Sequence, residues 1–293
     1  SRRSLGGSIN ARRPFRAIPL VPRTRCGGSI MRTGSRIALF AALTGLILLV
    51  SFPVHAGVDP VYQDGLNRLF GDLEKQGFTS EELKEIFSDS RFELYPHIVG
   101  RTGKGMNYMS RRFGLLTKRS IKRGRSILAT YRDALMGAEK EYGVDKEIIV
   151  AILRVETNFG SATGVYPVLN SLATMAVIEN RRSEWARGEL AELLALCREQ
   201  NKDPFSIRGS WAGAFGISQF IPSSYMRFAV DGNSDGTIDL FTMSDAVASV
   251  ANYLRSHGWE KGKPEENRQA VYAYNHCDSY VKAVFAYAKA LGK

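Results

Sequence analysis

A mainly helical protein is predicted by three features of the chain. Apolar residues recur at helical spacing over most of the sequence after residue 57, capping residues mark several helix starts, and only Thr237 to Phe241 shows a strand pattern. With 44% hydrophobic and 24% charged residues among 293, the chain can bury a sizeable core. It has no internal repeat and no long Pro/Gly linker after residue 57. One helical domain, residues 120–293, preceded by a small helical segment, residues 57–119, fits this pattern best.

The elements follow in order. From Val61 to Gln76, apolar side chains fall at Leu66, Leu69, Phe70 and Leu73, one face of a helix. Ser80-Glu81-Glu82-Leu83 reads as a capped helix start, and Gly100 to Gly105 as a loop. Ser120 to Tyr142 forms one long amphipathic pattern on Ile121, Ile127, Leu128, Tyr131 and Leu135, ended by Gly143. Asp145 is placed to cap a helix from Lys146 to Phe159, with Gly160 to stop it. Leu190 to Cys197 and Ser244 to Ser256 are further helices, and Gln269 to Leu291 holds one or two more.

The formal charge of +11 raises the question of nucleic acid, and its distribution answers it. Residues 1–56 hold nine arginines and no acidic residue. Removing those nine from 40 Lys+Arg leaves 31 against 29 Asp+Glu, a net +2, so no nucleic-acid partner is expected. The basic excess sits in a leader. From Met31, a basic stretch with Arg32 and Arg36 precedes an apolar run from Ile37 to Phe52, then Val54-His55-Ala56 ahead of Gly57. That is the pattern of a cleavable signal peptide, residues 31–56, with residues 1–30 as an upstream extension. The run is shorter than the ~20 residues that a membrane span needs. Export to the periplasm is the expectation, and no cysteine near the cleavage point offers itself for lipid attachment.

Three cysteines are too few for a disulfide framework. Cys26 belongs to the leader, leaving Cys197 and Cys277 either to pair in an oxidising compartment or to remain ordinary small residues.

On the 146–159 helix the apolar stripe comprises Ile148, Ile149, Ile152, Val155 and Phe159, and Glu156 falls on the same side. A carboxylate drawn toward an apolar face loses hydration and holds its proton more tightly, which suits a general acid. A marginal surface glutamate, or one paired with Arg154, satisfies the spacing equally well. Ser210 to Tyr225 combines small residues, aromatics and uncharged hydrogen-bonders, with Gly213 and Gly216 placed to let backbone approach a ligand. Such a surface suits sugars, whose rings have apolar faces and hydroxyl rims. A packed turn between helices has the same composition.

Five blocks decide the resemblance. Val155-Glu156-Thr157-Asn158-Phe159-Gly160, Ser171-Leu172-Ala173-Thr174, the 210–225 segment, Ser249 to Leu254 with His257-Gly258-Trp259, and Tyr274-Asn275 occur in one order. Together they resemble the lytic murein transglycosylase B family. The resemblance implies a lysozyme-like helical catalytic domain that cleaves peptidoglycan without water, leaving 1,6-anhydro-muramoyl ends. It implies Glu156 as the sole catalytic carboxylate, and Ser210 as a serine hydrogen-bonded to it. It further implies Gln219, Tyr253, Tyr274 and Asn275 along the sugar cleft, and Arg181 with Arg182 near the stem peptide. A hydrolytic muramidase and a non-catalytic wall-binding protein are the alternatives. No catalytic cofactor is expected. A monomer is expected, with proteins of cell-wall synthesis or remodelling as candidate partners. Val177-Ile178-Glu179-Asn180 and His276-Cys277 depart from the family's usual residues at those places.

Asp231-Gly232-Asn233-Ser234-Asp235-Gly236-Thr237 follows the opening of an EF-hand, with oxygen-bearing side chains at alternate places and then a glycine. The bidentate glutamate that should close such a loop is replaced by Thr242. The resemblance puts a ligand at Asp245 and implies a structural calcium held by Asp231, Asn233, Asp235, Thr237 and Asp245. An Asn/Asp/Gly turn reads just as well from the residues alone.

Overall fold

Where the sequence reads as one helix from Ser120 to Tyr142, the chain makes two: α3 (Lys118–Thr130) and α4 (Arg132–Tyr142). They part at Tyr131, whose φ of −108° and ψ of 31° leave the helical region. The break lets each half follow a different neighbour, α3 packing on α5 (Lys146–Thr157) and α4 on α9 (Met243–Ser256). The structure is a computed structural model that describes residues 59–101 and 106–293. The expected extension 1–30, the signal peptide 31–56 and most of the Gly100–Gly105 loop lie outside the described residues.

The remaining helices are α1 (Gln63–Lys75), α2 (Ser80–Ser88), α6 (Val168–Val177), α7 (Ser183–Glu199), α8 (Pro222–Phe228), α10 (Pro264–Tyr274) and α11 (Asp278–Leu291). The α2 start is a full capping box: Thr79 Oγ1 accepts from the Glu82 amide, and the Glu82 carboxylate accepts from the Thr79 amide. The expected strand at Thr237 to Phe241 does not form, because its backbone serves the tail of the acidic loop and the turn into α9. Among the described residues the sheet is instead a two-residue pair, β1 (Tyr166–Pro167) antiparallel to β2 (Arg208–Gly209).

Two helices are buried on nearly every side. In α5 every residue from Ile148 to Val155 is buried, and in α6 every residue is. Helices that apolar all round belong at the centre of a fold, so the others arrange themselves about these two. α11, α3, α4 and α9 pack on α5, while α7 and α1 pack on α6. α1 reaches α6 at Gly65, where a side-chain Cβ would lie 2.2 Å from the Val177 carbonyl oxygen. The apolar core therefore continues without a break across the expected boundary at 119/120. Among the described residues no helix is long and apolar enough to cross a membrane.

Candidate active site

α5 ends two residues earlier than its apolar pattern suggests. Asn158 takes the left-handed cap (φ 51°), and Phe159 (φ 61°) and Gly160 (φ 79°) continue the turn, so the chain reverses sharply. Thr157 holds this reversal. Its hydroxyl donates to the Ile217 carbonyl at 2.8 Å and accepts from the Gly160 amide at 2.9 Å, tying the end of α5 to the 210–221 segment.

Glu156 sits in that last turn, half-buried. The Tyr280 hydroxyl, from α11, donates to Glu156 Oε1 at 2.7 Å. Tyr280 is fully buried, and burial together with the Glu156 charge pushes its ionisation well above the usual 10. It therefore stays a proton donor at every working pH. Arg154 turns elsewhere: its Nε donates to Ser120 Oγ at 2.8 Å and its Nη2 to the Phe113 carbonyl at 3.2 Å. Burial lowers the Arg154 pKa.

Ser210 follows β2 directly. Its Oγ accepts from the amides of Ala214 (3.1 Å) and Ala212 (3.3 Å), and its own amide donates to the Ala214 carbonyl at 2.7 Å. The hydroxyl donor found on Glu156 is thus Tyr280, where the family resemblance had put Ser210. Gly213 (φ 83°) and Gly216 (φ 74°) correct another expectation. The space a Cβ would need there is filled by Leu172 and Leu240 respectively, so these glycines serve tight turns against the core and not the approach of a ligand.

Three of the expected cleft residues meet at one pocket of about 100 Å³. Gln219, Tyr253 and Tyr274 line it with Trp185, Ser224, His257 and His276. Gln219 has φ 53°, and its Nε2 donates to the carbonyls of Thr163 and Gly216, both at 3.0 Å. The tyrosine hydroxyls are committed as well, Tyr253 to the Ala273 carbonyl (2.9 Å) and Tyr274 to the Ser218 carbonyl (2.6 Å). What these tyrosines can present is ring. Tyr253 stacks on His257 at 4.0 Å, and burial lowers the His257 pKa. Tyr274 stacks on Tyr280 at 6.4 Å, which links the pocket to Glu156 through one intervening ring.

The other expected residues lie apart. Asn275 occupies the turn between α10 and α11 and does not line the pocket; its carbonyl accepts from the Cys277 amide at 2.6 Å. Arg181 and Arg182 line a separate cavity of about 340 Å³ with Arg101, Asn180 and Trp211. Arg182 stacks 4.0 Å over the ring of Trp185, which belongs to the first pocket, so the two cavities share a wall. Tyr280, Thr157, Trp185 and His257 were not singled out from sequence as site residues. Only contacts across the fold reveal their roles.

Further carboxylates are already occupied. Glu189 and Asp245 are the buried ones among the described residues. Glu189 accepts from the amide and the hydroxyl of Ser223 at the start of α8. Asp245 accepts from the Gly232 amide (3.0 Å) and the Asp239 amide (2.7 Å). Asp245 thus braces the acidic loop through both oxygens. Within the loop, Asp231 accepts from the amides of Gly236, Asp235 and Asn233, and Asp235 from the amide and hydroxyl of Thr237. The opening of the loop thus presents oxygens in EF-hand order, and Asp245 is tied to the same loop through its Gly232 and Asp239 amides. Among the described residues no group of three or more His, Cys, Asp or Glu is disposed to hold a metal. Cys197 is buried and Cys277 half-buried, and the two are not bonded to each other. Burial pushes the Cys197 thiol up to about 11.

Fold and site define a helical domain that holds one half-buried carboxylate beside a ring-lined pocket. The chain belongs to the SLT transglycosylase family, whose "Transglycosylase SLT domain" matches residues 63–268. It is 39% identical over 201 residues to the membrane-bound lytic murein transglycosylase B of Escherichia coli K12, an alignment covering 65% of this chain and 56% of that protein. The chain thus spans little more than half the length of that relative. Among solved structures it is similar to the Escherichia coli lytic transglycosylase Slt35 in complex with calcium: TM-score 0.70, 29% identity, 80% of this chain and 93% of that one. It is also similar to the soluble lytic transglycosylase SltB1 of Pseudomonas aeruginosa, with TM-score 0.71, 28% identity and coverages of 78% and 98%. The family resemblance read from the five blocks and the lysozyme-like helical fold it implied are both borne out.

Proposed function

We propose that this protein is a peptidoglycan lytic transglycosylase, cleaving the β-1,4 bond between N-acetylmuramic acid and N-acetylglucosamine to leave a 1,6-anhydro-muramoyl end. Glu156 first gives its proton to the glycosidic oxygen, which leaves as the N-acetylglucosamine hydroxyl. The same carboxylate then takes the proton of the muramic acid C6 hydroxyl as that oxygen bonds to C1. No water is consumed. By donating to Oε1, Tyr280 favours the charged carboxylate from which the second proton transfer starts. Ser210 is kept as the site serine that the family resemblance implies, with Gln219, Tyr253 and Tyr274 holding sugar rings and Asn275 at the turn after them. Arg181 and Arg182 face the carboxylates of the stem peptide.

One observation carries the choice of an internal nucleophile over a hydrolytic muramidase. Among the described residues, the carboxylate acting on Tyr280 is Glu156 itself, and the buried carboxylates Glu189 and Asp245 are bound to backbone amides. A hydrolase of the usual kind needs a second carboxylate to activate water or to form a covalent intermediate. Mass spectrometry of digested peptidoglycan tests the proposal: products lighter by one water than the reducing muropeptides are expected, and reducing ends alone would overturn it.

The leader places the mature enzyme in the periplasm, acting there as a monomer on glycan strands. A calcium ion, if bound, would be structural, held by Asp231, Asn233 and Asp235 with the Thr237 carbonyl. Asp245, which accepts from the Gly232 and Asp239 amides, would be its further ligand.

A further inference from the structure

From Leu94 to Arg132 the chain contains no carboxylate, and its cations gather on and before α3. Arg111, Arg112, Lys118, Arg119, Lys122 and Arg123 are all exposed, and none of the six forms an ion pair among the described residues. The chain after residue 56 is nearly balanced at 31 Lys+Arg against 29 Asp+Glu with this strip included, so such a concentration of one sign is unusual. The strip also borders the catalytic carboxylate. Arg123 donates to Ser161 Oγ and lies 5.5 Å from the ring of Phe159, three residues past Glu156. Just ahead of the strip, the Tyr108 ring sits edge-on 5.6 Å from Tyr280, the donor to Glu156.

We infer that this strip is an anchoring surface for the carboxylate-bearing stem peptides of the substrate strand, separate from Arg181 and Arg182. The inference rests on the reading of the substrate as peptidoglycan. A row of unpaired cations raises the local concentration of a polyanion and speeds its capture. A bilayer is the weaker fit: α3 itself exposes no large apolar side chain, and the exposed Met106, Met109 and Leu116 lie in the loop before it, not along a helix face beside the cations. The strip would hold substrate mainly by charge, which fits a polymer that must slide and be released.

The test is the triple variant Lys118→Glu, Arg119→Glu, Lys122→Glu. Acidic residues in the first turns of α3 suit the helix dipole, so the fold is preserved. On peptide-bearing sacculi at low salt, kcat/KM should fall about tenfold, and the difference should vanish as salt screens the strip. On glycan strands stripped of peptides by an amidase, the variant should match the parent. Cosedimentation with intact sacculi, which requires no cleavage, should show the same salt-sensitive loss. Equal losses on both substrates, or none in either assay, would overturn the inference. Loss of binding to phosphatidylglycerol vesicles with unchanged binding to sacculi would also overturn it, in favour of a membrane role. A parent enzyme that cleaves neither substrate would instead count against the proposed activity, leaving cosedimentation to judge the strip.

Discussion

The end of α5 and the Asp231–Thr237 loop hold their polar groups in opposite ways. At the end of α5 each critical group is gripped from a distant part of the chain: Glu156 by Tyr280, 124 residues later, and Thr157 by Ile217, 60 residues later. In the acidic loop most grips are local, spanning two to five residues, and only Asp245 reaches in from α9. A site assembled from afar is fixed by the whole fold and is rigid at rest. A locally satisfied loop can trade its own amide hydrogen bonds for a cation without disturbing its surroundings. The first arrangement suits proton transfer, which needs fixed geometry. The second suits a structural ion.

The largest effect should fall on the carboxylate itself. Glu156→Gln should lower glycan cleavage by at least about 100-fold, the usual share of a general acid. Circular dichroism and Tm should stay near the parent values, and a cleaving variant would sink the assignment. Tyr280→Phe comes next, with kcat reduced about tenfold through loss of a charge-assisted hydrogen bond. That bond favours the charged carboxylate, so removing it favours the protonated acid. The alkaline limb of the rate profile should therefore move to higher pH, whereas a merely structural tyrosine would leave the limb in place.

Thr157→Val strands the Ile217 carbonyl and the Gly160 amide in a buried setting. It should cost about 2 kcal/mol of stability in denaturant unfolding, and kcat should fall with it as the turn loosens. In contrast, Asp231→Ala or chelation of calcium should lower Tm by only about 2–4 °C and leave kcat at 25 °C unchanged. A collapse of kcat on chelation would erase the distinction between the two regions.

The smallest effect concerns His257. Its folded pKa is depressed by burial, so the unfolded chain takes up a proton first as pH falls. Stability from this group is present above the unfolded value near 6.5 and is lost as pH falls through it toward the folded value. Thermal scans from pH 7 to pH 5 should show a decline that His257→Asn flattens, and an unchanged slope would exclude the group.

How far the sequence could be read follows the same division. Helical periodicity located α1, α2, α5 and α9 because their buried faces repeat within a few residues. It missed the break at Tyr131, which is imposed by different partners on either side. The acidic loop was readable as an EF-hand opening because its chemistry is contiguous, whereas the amides that Asp245 accepts come from Gly232 and Asp239, which no local pattern joins to it. Glu156 could be located on a helix face, but its partner could not, since no local pattern joins residue 156 to residue 280. Likewise Gly213 and Gly216 advertised a special backbone without revealing that Leu172 and Leu240 demand it.

The central claim is that Glu156 works alone and that the nucleophile comes from the substrate. Digestion in water enriched with heavy oxygen tests this most directly, with the muramic acid products weighed intact. The account predicts anhydro ends carrying no label, because no water oxygen enters the product. Labelled reducing ends as the first product would contradict it.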